Sequence, residues 1–166
     1  MDLKIKTAQG KDWKIIQNLN NQVFLWDKQN DDDLDLEWPF SEKGIKYYKK
    51  LANGSYGKCL IAYSDNQPVG YVALSIKDLG YRKSKYVEIE NIGVDERYRS
   101  RGIGKLLIDA SVKWAKEQKA TKLWVSAYWD NKRAVNFYKK NGFYESGLEL
   151  DKNLAWSAPL NWYSYL

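Results

Sequence analysis

The 166-residue chain contains no histidine. That absence removes the commonest general base, the commonest metal ligand and every nucleophilic triad built on an imidazole. Cysteine is almost as scarce. Cys59 stands alone, so neither a disulfide framework nor a cysteine-based metal cluster can be assembled, and no metal is expected. No run of about 18 apolar residues occurs, which excludes an ordinary membrane-spanning helix. The opening stretch MDLKIKTAQG lacks the apolar core of a secretory signal. The expectation is a cytoplasmic chain with no membrane partner.

Aromatic residues, by contrast, are abundant: eight Trp and thirteen Tyr, within an apolar fraction of 44%. Such a composition folds, and no linker, repeat or low-complexity segment divides it, so residues 1–166 read as a single domain. The net charge of +6 is unevenly laid out. Residues 27–37, DKQNDDDLDLE, are strongly acidic and lie between Trp26 and Trp38. Basic residues crowd instead into residues 97–107, RYRSRGIGKLL. Because they gather at one glycine-containing turn, with no recognisable motif of alternating basic and aromatic residues, a nucleic-acid partner is not expected.

Patterning predicts the elements. Residues 3–8 alternate as a strand. Trp13, Ile16, Leu19, Val23 and Trp26 carry helical spacing. Ser41 suits the N-cap of a second helix that ends near Asn53 and Gly54. Residues 58–64 and 69–78 read as a hairpin around the turn DNQP, and residues 86–94 as a further strand. Ile103, Leu106, Leu107, Ala110 and Trp114 then mark an amphipathic helix running to about Gln118. Residues 122–128 read as a strand and residues 131–142 as a helix stopped by Gly142. Residues 143–150 and 160–166 read as a closing pair of strands. Helices interleaved with strands around a central hairpin predict an α/β layered fold with a mixed sheet.

The basic turn has a physical rationale. A strand ends at Val94 and a helix begins near Gly102. The first turn of a helix presents unpaired N–H groups along its axis, and with the macrodipole these attract an anion. Gly102 and Gly104 carry no Cβ, and Arg99 and Arg101 add charge at the rim. The whole reads as a site for a pyrophosphate. Neither of the other common phosphate-loop patterns is present.

At this point the sequence resembles the GNAT superfamily of N-acetyltransferases. The stretch IGVDERYRSRGIGKLL fits the family pattern [QR]-x-x-G-x-[GA] through Arg99, Gly102 and Gly104, and DNKRAVNFYKKNGF resembles its second motif. The resemblance implies a fold of about seven strands and about four flanking helices, with a splayed pair of central strands. It implies acetyl-CoA as cosubstrate. Ile92, Gly93 and Val94 would line the pantetheine arm, with the Val94 amide facing the thioester carbonyl. The backbone from Arg99 through Ser100, Arg101, Gly102, Ile103 and Gly104 to Lys105 would hold the pyrophosphate. Asn131 and Ala134 would lie beside the pantetheine, and Tyr138 would protonate the leaving thiolate. Spaced three and four residues apart, these last three share one helix face.

A base is less obvious. Without histidine the candidates are carboxylates, and Glu88 and Glu90, two apart on one strand, share a face. Glu88 takes precedence because it falls at the offset from Val94 where histone-type members of the family carry their base; salt-bridged or solvated glutamates are the alternative. The acidic segment 27–37 corresponds to the part of the family that lines the acceptor side. Asp27, Asp31, Asp32, Asp33, Asp35 and Glu37 would draw in a cation, and Trp26 and Trp38 would stack on a cation or sugar. The implied activity is acetyl transfer to a primary amine of a cationic small molecule such as a polyamine or amino-sugar antibiotic. Short stretches, YVEIENIGV among them, resemble the streptothricin acetyltransferases. A protein N-terminal or lysine acetyltransferase, acting on a peptide amine, is the alternative enzyme, and an acyl-CoA-binding sensor the non-enzymatic one. Monomer and homodimer both remain open, with the aromatic stretch 155–166 as the candidate interface.

Overall fold

The structure is a computed structural model, and it describes residues 2–55, 57–152 and 154. In chain order the elements are β1 (Leu3–Thr7), α1 (Trp13–Asp27), α2 (Glu42–Ala52), β2 (Gly57–Ser64), β3 (Gln67–Lys77), β4 (Tyr86–Val94), α3 (Ile103–Glu117), β5 (Lys122–Val125) and α4 (Lys132–Lys140), with short 3-10 turns before α1, α2 and α3. The five strands form one sheet in the order β1-β2-β3-β4-β5. The first four are antiparallel neighbours, and β5 lies parallel to β4. The α/β fold with a mixed sheet is therefore borne out.

Local chemistry explains the boundaries. Ser41 accepts the Gly44 amide at 3.1 Å and starts α2. Asp65 and Asn66 both take positive φ, the backbone of a tight hairpin turn whose twist matches its strands. Each face of the sheet has its own core. Leu60, Ala62, Val72, Leu74, Val87 and Ile89 pack against Ile103, Leu107 and Ile108 of α3. On the opposite face Cys59, Ile61, Tyr71 and Ala73 pack against Ile16 and Leu19 of α1 and Tyr48 and Leu51 of α2. Strands covered on both sides explain why β2 and β3 run almost continuously apolar.

Two expectations need correction. The sheet has five described strands rather than about seven. Among the described residues, the segment 143–150 lies on no ladder, and Tyr144, Leu148 and Leu150 stand exposed. Apolar alternation is not enough to make a strand, because an extended chain needs a hydrogen-bonded neighbour. The proposed neighbour, residues 160–166, lies outside the described residues, as does the candidate interface at 155–166. The strand expected over 122–128 also ends early, at Val125. No helix among the described residues is long and apolar enough to cross a membrane.

Candidate active site

The site begins where the sheet comes apart. Pairing between β4 and β5 runs from Tyr86 opposite Lys122 to Ile89 opposite Val125 and then stops. On its other edge β4 stays paired with β3 as far as Val94. From Glu90 to Val94 the edge of β4 facing β5 therefore has no strand against it among the described residues. Ile92, Gly93 and Val94 all lie on this open stretch, so the splayed central pair is present.

A bulge sits at the point of separation. Ala73 pairs with Asn91 but the next residue, Leu74, pairs with Ile89, which leaves Glu90 as the extra residue. The bulge changes which way the strand faces. Val87 and Ile89 belong to the core under α3, whereas Glu90 accepts the Tyr47 hydroxyl at 3.1 Å and Asn91 accepts the Tyr71 hydroxyl on the α1/α2 side. A buried polar chain supports it. Tyr48 donates to Asn20, and Asn20 Nδ2 donates to the Tyr71 hydroxyl at 2.7 Å, with Tyr48, Asn20 and Tyr71 at most 2% exposed. Sequence reasoning passed over this chain, although the buried Tyr48, Tyr71 and Asn20 demand hydrogen-bond partners.

Beyond Val94 the backbone is steered into the basic turn. Asp95 accepts the Arg97 amide at 3.0 Å and the Arg97 guanidinium at 3.0 and 2.8 Å. These hydrogen bonds hold its carboxyl down to about 2. Arg99 turns back, and its Nε donates to the Val94 carbonyl at 3.1 Å. Ser100 and Gly102 then take φ of 62° and 81°, left-handed positions on either side of Arg101. Gly102 is the N-cap of α3, and no side chain caps that end. The first intrahelical bond is the Leu106 amide to the Gly102 carbonyl at 3.0 Å, so the amides of Ile103, Gly104 and Lys105 precede the helical ladder and have no partner within it.

The two glycines of the turn serve different ends. A Cβ on Gly102 would meet nothing within 4 Å, so its requirement is the left-handed backbone. A Cβ on Gly104 would come within 3.0 Å of the Phe137 ring. Gly104 lets the mouth of α3 close on α4, which the glycine pattern alone did not indicate.

Helix α4 delivers the second group of residues. Asn131 caps it by accepting the Ala134 amide at 3.0 Å, and its Nδ2 approaches Asp27 at 3.5 Å. Asn131, a residue expected at the site, is thus the N-cap of α4, with Ala134 one turn on. Tyr138 follows on the same face and packs edge-on against Phe137 and Phe143, with ring centroids 5.4 and 5.5 Å away. Burial, reinforced by the Asp27 charge, raises its phenol well above the ordinary value. Asp27 itself is raised by burial and by Asp31, against the pull of Arg99.

The candidate bases fare differently. Glu88 lies opposite Trp124, where β4 and β5 are still paired, and forms an ion pair with Lys77. Glu90 stands at the bulge where the opening starts. Of the acidic segment, Asp31 accepts the Tyr128 hydroxyl at 2.7 Å, tying the segment to the connection between β5 and α4. Asp35 accepts the Glu37 amide at 3.0 Å within a turn. Trp38 is built into an aromatic cluster with Phe24, Tyr47 and Tyr48 at centroid separations of 5.8, 5.6 and 5.9 Å. Trp26 carries the guanidinium groups of Arg99 and Arg133 at 4.6 and 5.5 Å from its ring.

The family model described as Acetyltransferase (GNAT) family matches residues 18–143. This chain belongs to the GNAT family. It is similar to an uncharacterised N-acetyltransferase of Methanocaldococcus jannaschii, with 34% identity over 60% of this chain and 44% of that protein. It is also similar to streptothricin acetyltransferase A of Bacillus subtilis, with 27% identity over 68% of this chain and 55% of that protein. The matched stretch thus covers about half the length of these curated relatives. Among solved structures, the BH1408 protein of Bacillus halodurans superposes with a TM-score of 0.80 at 21% identity, covering 91% of this chain and 99% of that one. AAC(6')-Iy in complex with the bisubstrate analogue CoA-S-monomethyl-acetylneamine gives a TM-score of 0.72 at 20% identity, covering 92% of this chain and 98% of that one. At those identities the likeness is one of fold. The GNAT motifs coincide with the open edge of β4, the bare mouth of α3 and the face of α4.

Proposed function

We propose that this GNAT chain transfers the acetyl group of acetyl-CoA to a primary amine on a cationic small molecule. The observation that carries the reading is the uncapped first turn of α3, entered through left-handed Ser100 and Gly102 and set beside the unpaired edge of β4. The amides of Ile103, Gly104 and Lys105, with Arg99 and Arg101 at the rim, fit a diphosphate. The free edge of β4 at Ile92, Gly93 and Val94 offers main-chain groups to an amide-bearing arm. Acetyl-CoA supplies the activated acyl group when bound.

This chain's own residues then manage charge and protons. The Val94 amide faces the negative charge that grows on the carbonyl oxygen. Tyr138, kept protonated by burial, gives its proton to the departing thiolate. The attacking amine must shed a proton. Glu90 is the better placed acceptor, directly or through water, because it stands at the bulge, whereas Glu88 is engaged by Lys77. The carboxylates of the segment 27–37 attract a cationic acceptor. A similar fold solved with a CoA–acetylneamine analogue and a streptothricin acetyltransferase among the relatives both support a cationic amine acceptor.

The experiment is to mix the protein with acetyl-CoA and a panel of polyamines, aminoglycosides, streptothricin-type amines and short peptides, and to follow free thiol. Release with the small cations supports the proposal. Release with peptides alone assigns the protein-acetyltransferase reading. Coenzyme binding without release assigns the sensor reading.

A further inference from the structure

Trp26, the penultimate residue of α1, brings together two arginines from separate parts of the chain. Arg99 comes from the turn leading into α3, and Arg133 from the first turn of α4. Their guanidinium carbons lie 4.6 and 5.5 Å from the indole centroid. Stacking on an aromatic face suits a planar guanidinium and leaves its N–H fork free to point elsewhere. The two cations repel. Burial first, and then the charge of Arg133, hold Arg99 below its ordinary range, while Glu96, Asp95 and Asp27 act on it favourably from a distance. Among the described residues neither guanidinium forms an ion pair with a carboxylate; the nearby ion pair is that of Asp95 with Arg97.

The surroundings are those of an anion site. Arg133 lines a hollow with Trp26, Asn30, Asp130, Asn131 and Lys132. Asn30, one of the lining residues, has a buried Nδ2 with no hydrogen-bond partner among the described residues. Lys132 adds a third positive charge, its ammonium held by the Trp129 carbonyl at 3.0 Å, and Asp130 is the one carboxylate in the lining. Arg99 lines a second hollow on Trp26 with Gln22, Leu25 and Glu96, so the indole joins the two. Two mutually repelling guanidinium groups on one ring are stabilised by a phosphate that accepts from both.

We propose that Arg133 is a second phosphate-binding arginine of the coenzyme site, and that Trp26 is the positioning residue that holds it with Arg99. This deepens the function proposed above and rests on it. It gives the end of α1 a task on the coenzyme side of the cleft, apart from attracting the acceptor. The phosphate is either part of the diphosphate or the ribose 3'-phosphate.

The test is calorimetric titration of the full chain with coenzyme A and with 3'-dephospho-coenzyme A, for wild type, Arg133→Gln, Trp26→Ala and Trp26→Phe, each checked by thermal melting. Arg133 is exposed in the first turn of α4, so Arg133→Gln retains the fold even if Trp26→Ala does not. The expected result is a loss of coenzyme A affinity of roughly tenfold or more for Arg133→Gln, matching the weight of a charge-assisted hydrogen bond. Trp26→Ala shows a similar loss, and Trp26→Phe recovers most of it by keeping a ring beneath the guanidinium groups. A loss confined to coenzyme A assigns the 3'-phosphate, and an equal loss with both ligands assigns the diphosphate. Native affinity in Arg133→Gln overturns the inference while leaving the proposed function standing. A wild type that binds neither ligand removes the proposed function itself.

Discussion

Tyr138 sits where a phenol is least able to ionise, between two phenylalanine rings and within reach of the Asp27 charge. A donor held protonated by burial should work as an acid far up the pH scale. Two outcomes follow. Tyr138→Phe lowers turnover at least about tenfold with little change in coenzyme affinity, as loss of a general acid does. The wild-type turnover profile shows no alkaline fall from this group below about pH 10. Steady-state kinetics across pH, with coenzyme binding measured in parallel, checks both. The turn glycines separate in the same manner. Gly102 needs only its left-handed backbone, so Gly102→Asn keeps the coenzyme site whereas Gly102→Val strains the turn by about 1–2 kcal/mol and weakens binding. Titration of the two variants with coenzyme A distinguishes them, and equal native affinity in both would refute a role for that backbone. Asp95 sets a pH dependence. Its folded pKa, about 2, lies below the ordinary 3.8, so its stabilisation is complete above about pH 4 and disappears as pH falls through 2. Asp95→Asn therefore costs about 1–2 kcal/mol at neutral pH, reduced by the exposure of Arg97, and progressively less in acid. Denaturant titrations at pH 7 and pH 3 measure the difference.

Among the elements, β4 carries the most consequence. Its span, residues 86–94, was legible to the residue, because β-branched and charged residues alternate between a turn and an Asp-led bend. The bulge was not. A single extra residue leaves no periodic trace, and what fixes it is a polar chain from α1, α2 and β3 that meets Asn91 only after folding. Tyr71 is its centre. Tyr71→Phe leaves Asn20 Nδ2 buried without an acceptor and frees Asn91, which should cost about 1–3 kcal/mol. Urea unfolding measures the loss, and hydrogen exchange should quicken first in the amides of β4. An unchanged midpoint would show that the bulge holds itself. Helix α3 was legible in both place and length, since the glycine pair and the apolar stripe agree. The double use of Gly104 escaped because its cause, the Phe137 ring, lies on another helix.

At the scale of the molecule, charge is sorted rather than balanced. The acidic segment after α1 faces Tyr128 and Asn131, the basic turn leads into α3, and Trp26 stands where the two meet. The sequence disclosed both charge runs but not their meeting, because residues 26, 99 and 133 become neighbours only through the crossing of α1 over the end of β4. The described sheet has five strands rather than about seven for a related reason: alternation at 143–150 resembles a strand, but that segment lies on no ladder among the described residues. What the residue pattern did contain was the expectation of an anion site at the mouth of α3; the strand that loses its neighbour was implied by the resemblance to the GNAT family. The most direct measurement is a crystal structure of the chain with coenzyme A. The diphosphate oxygens should lie within hydrogen-bond distance of the Ile103, Gly104 and Lys105 amides, with the pantetheine along β4 from Ile92 to Val94. A diphosphate bound anywhere else would contradict this account.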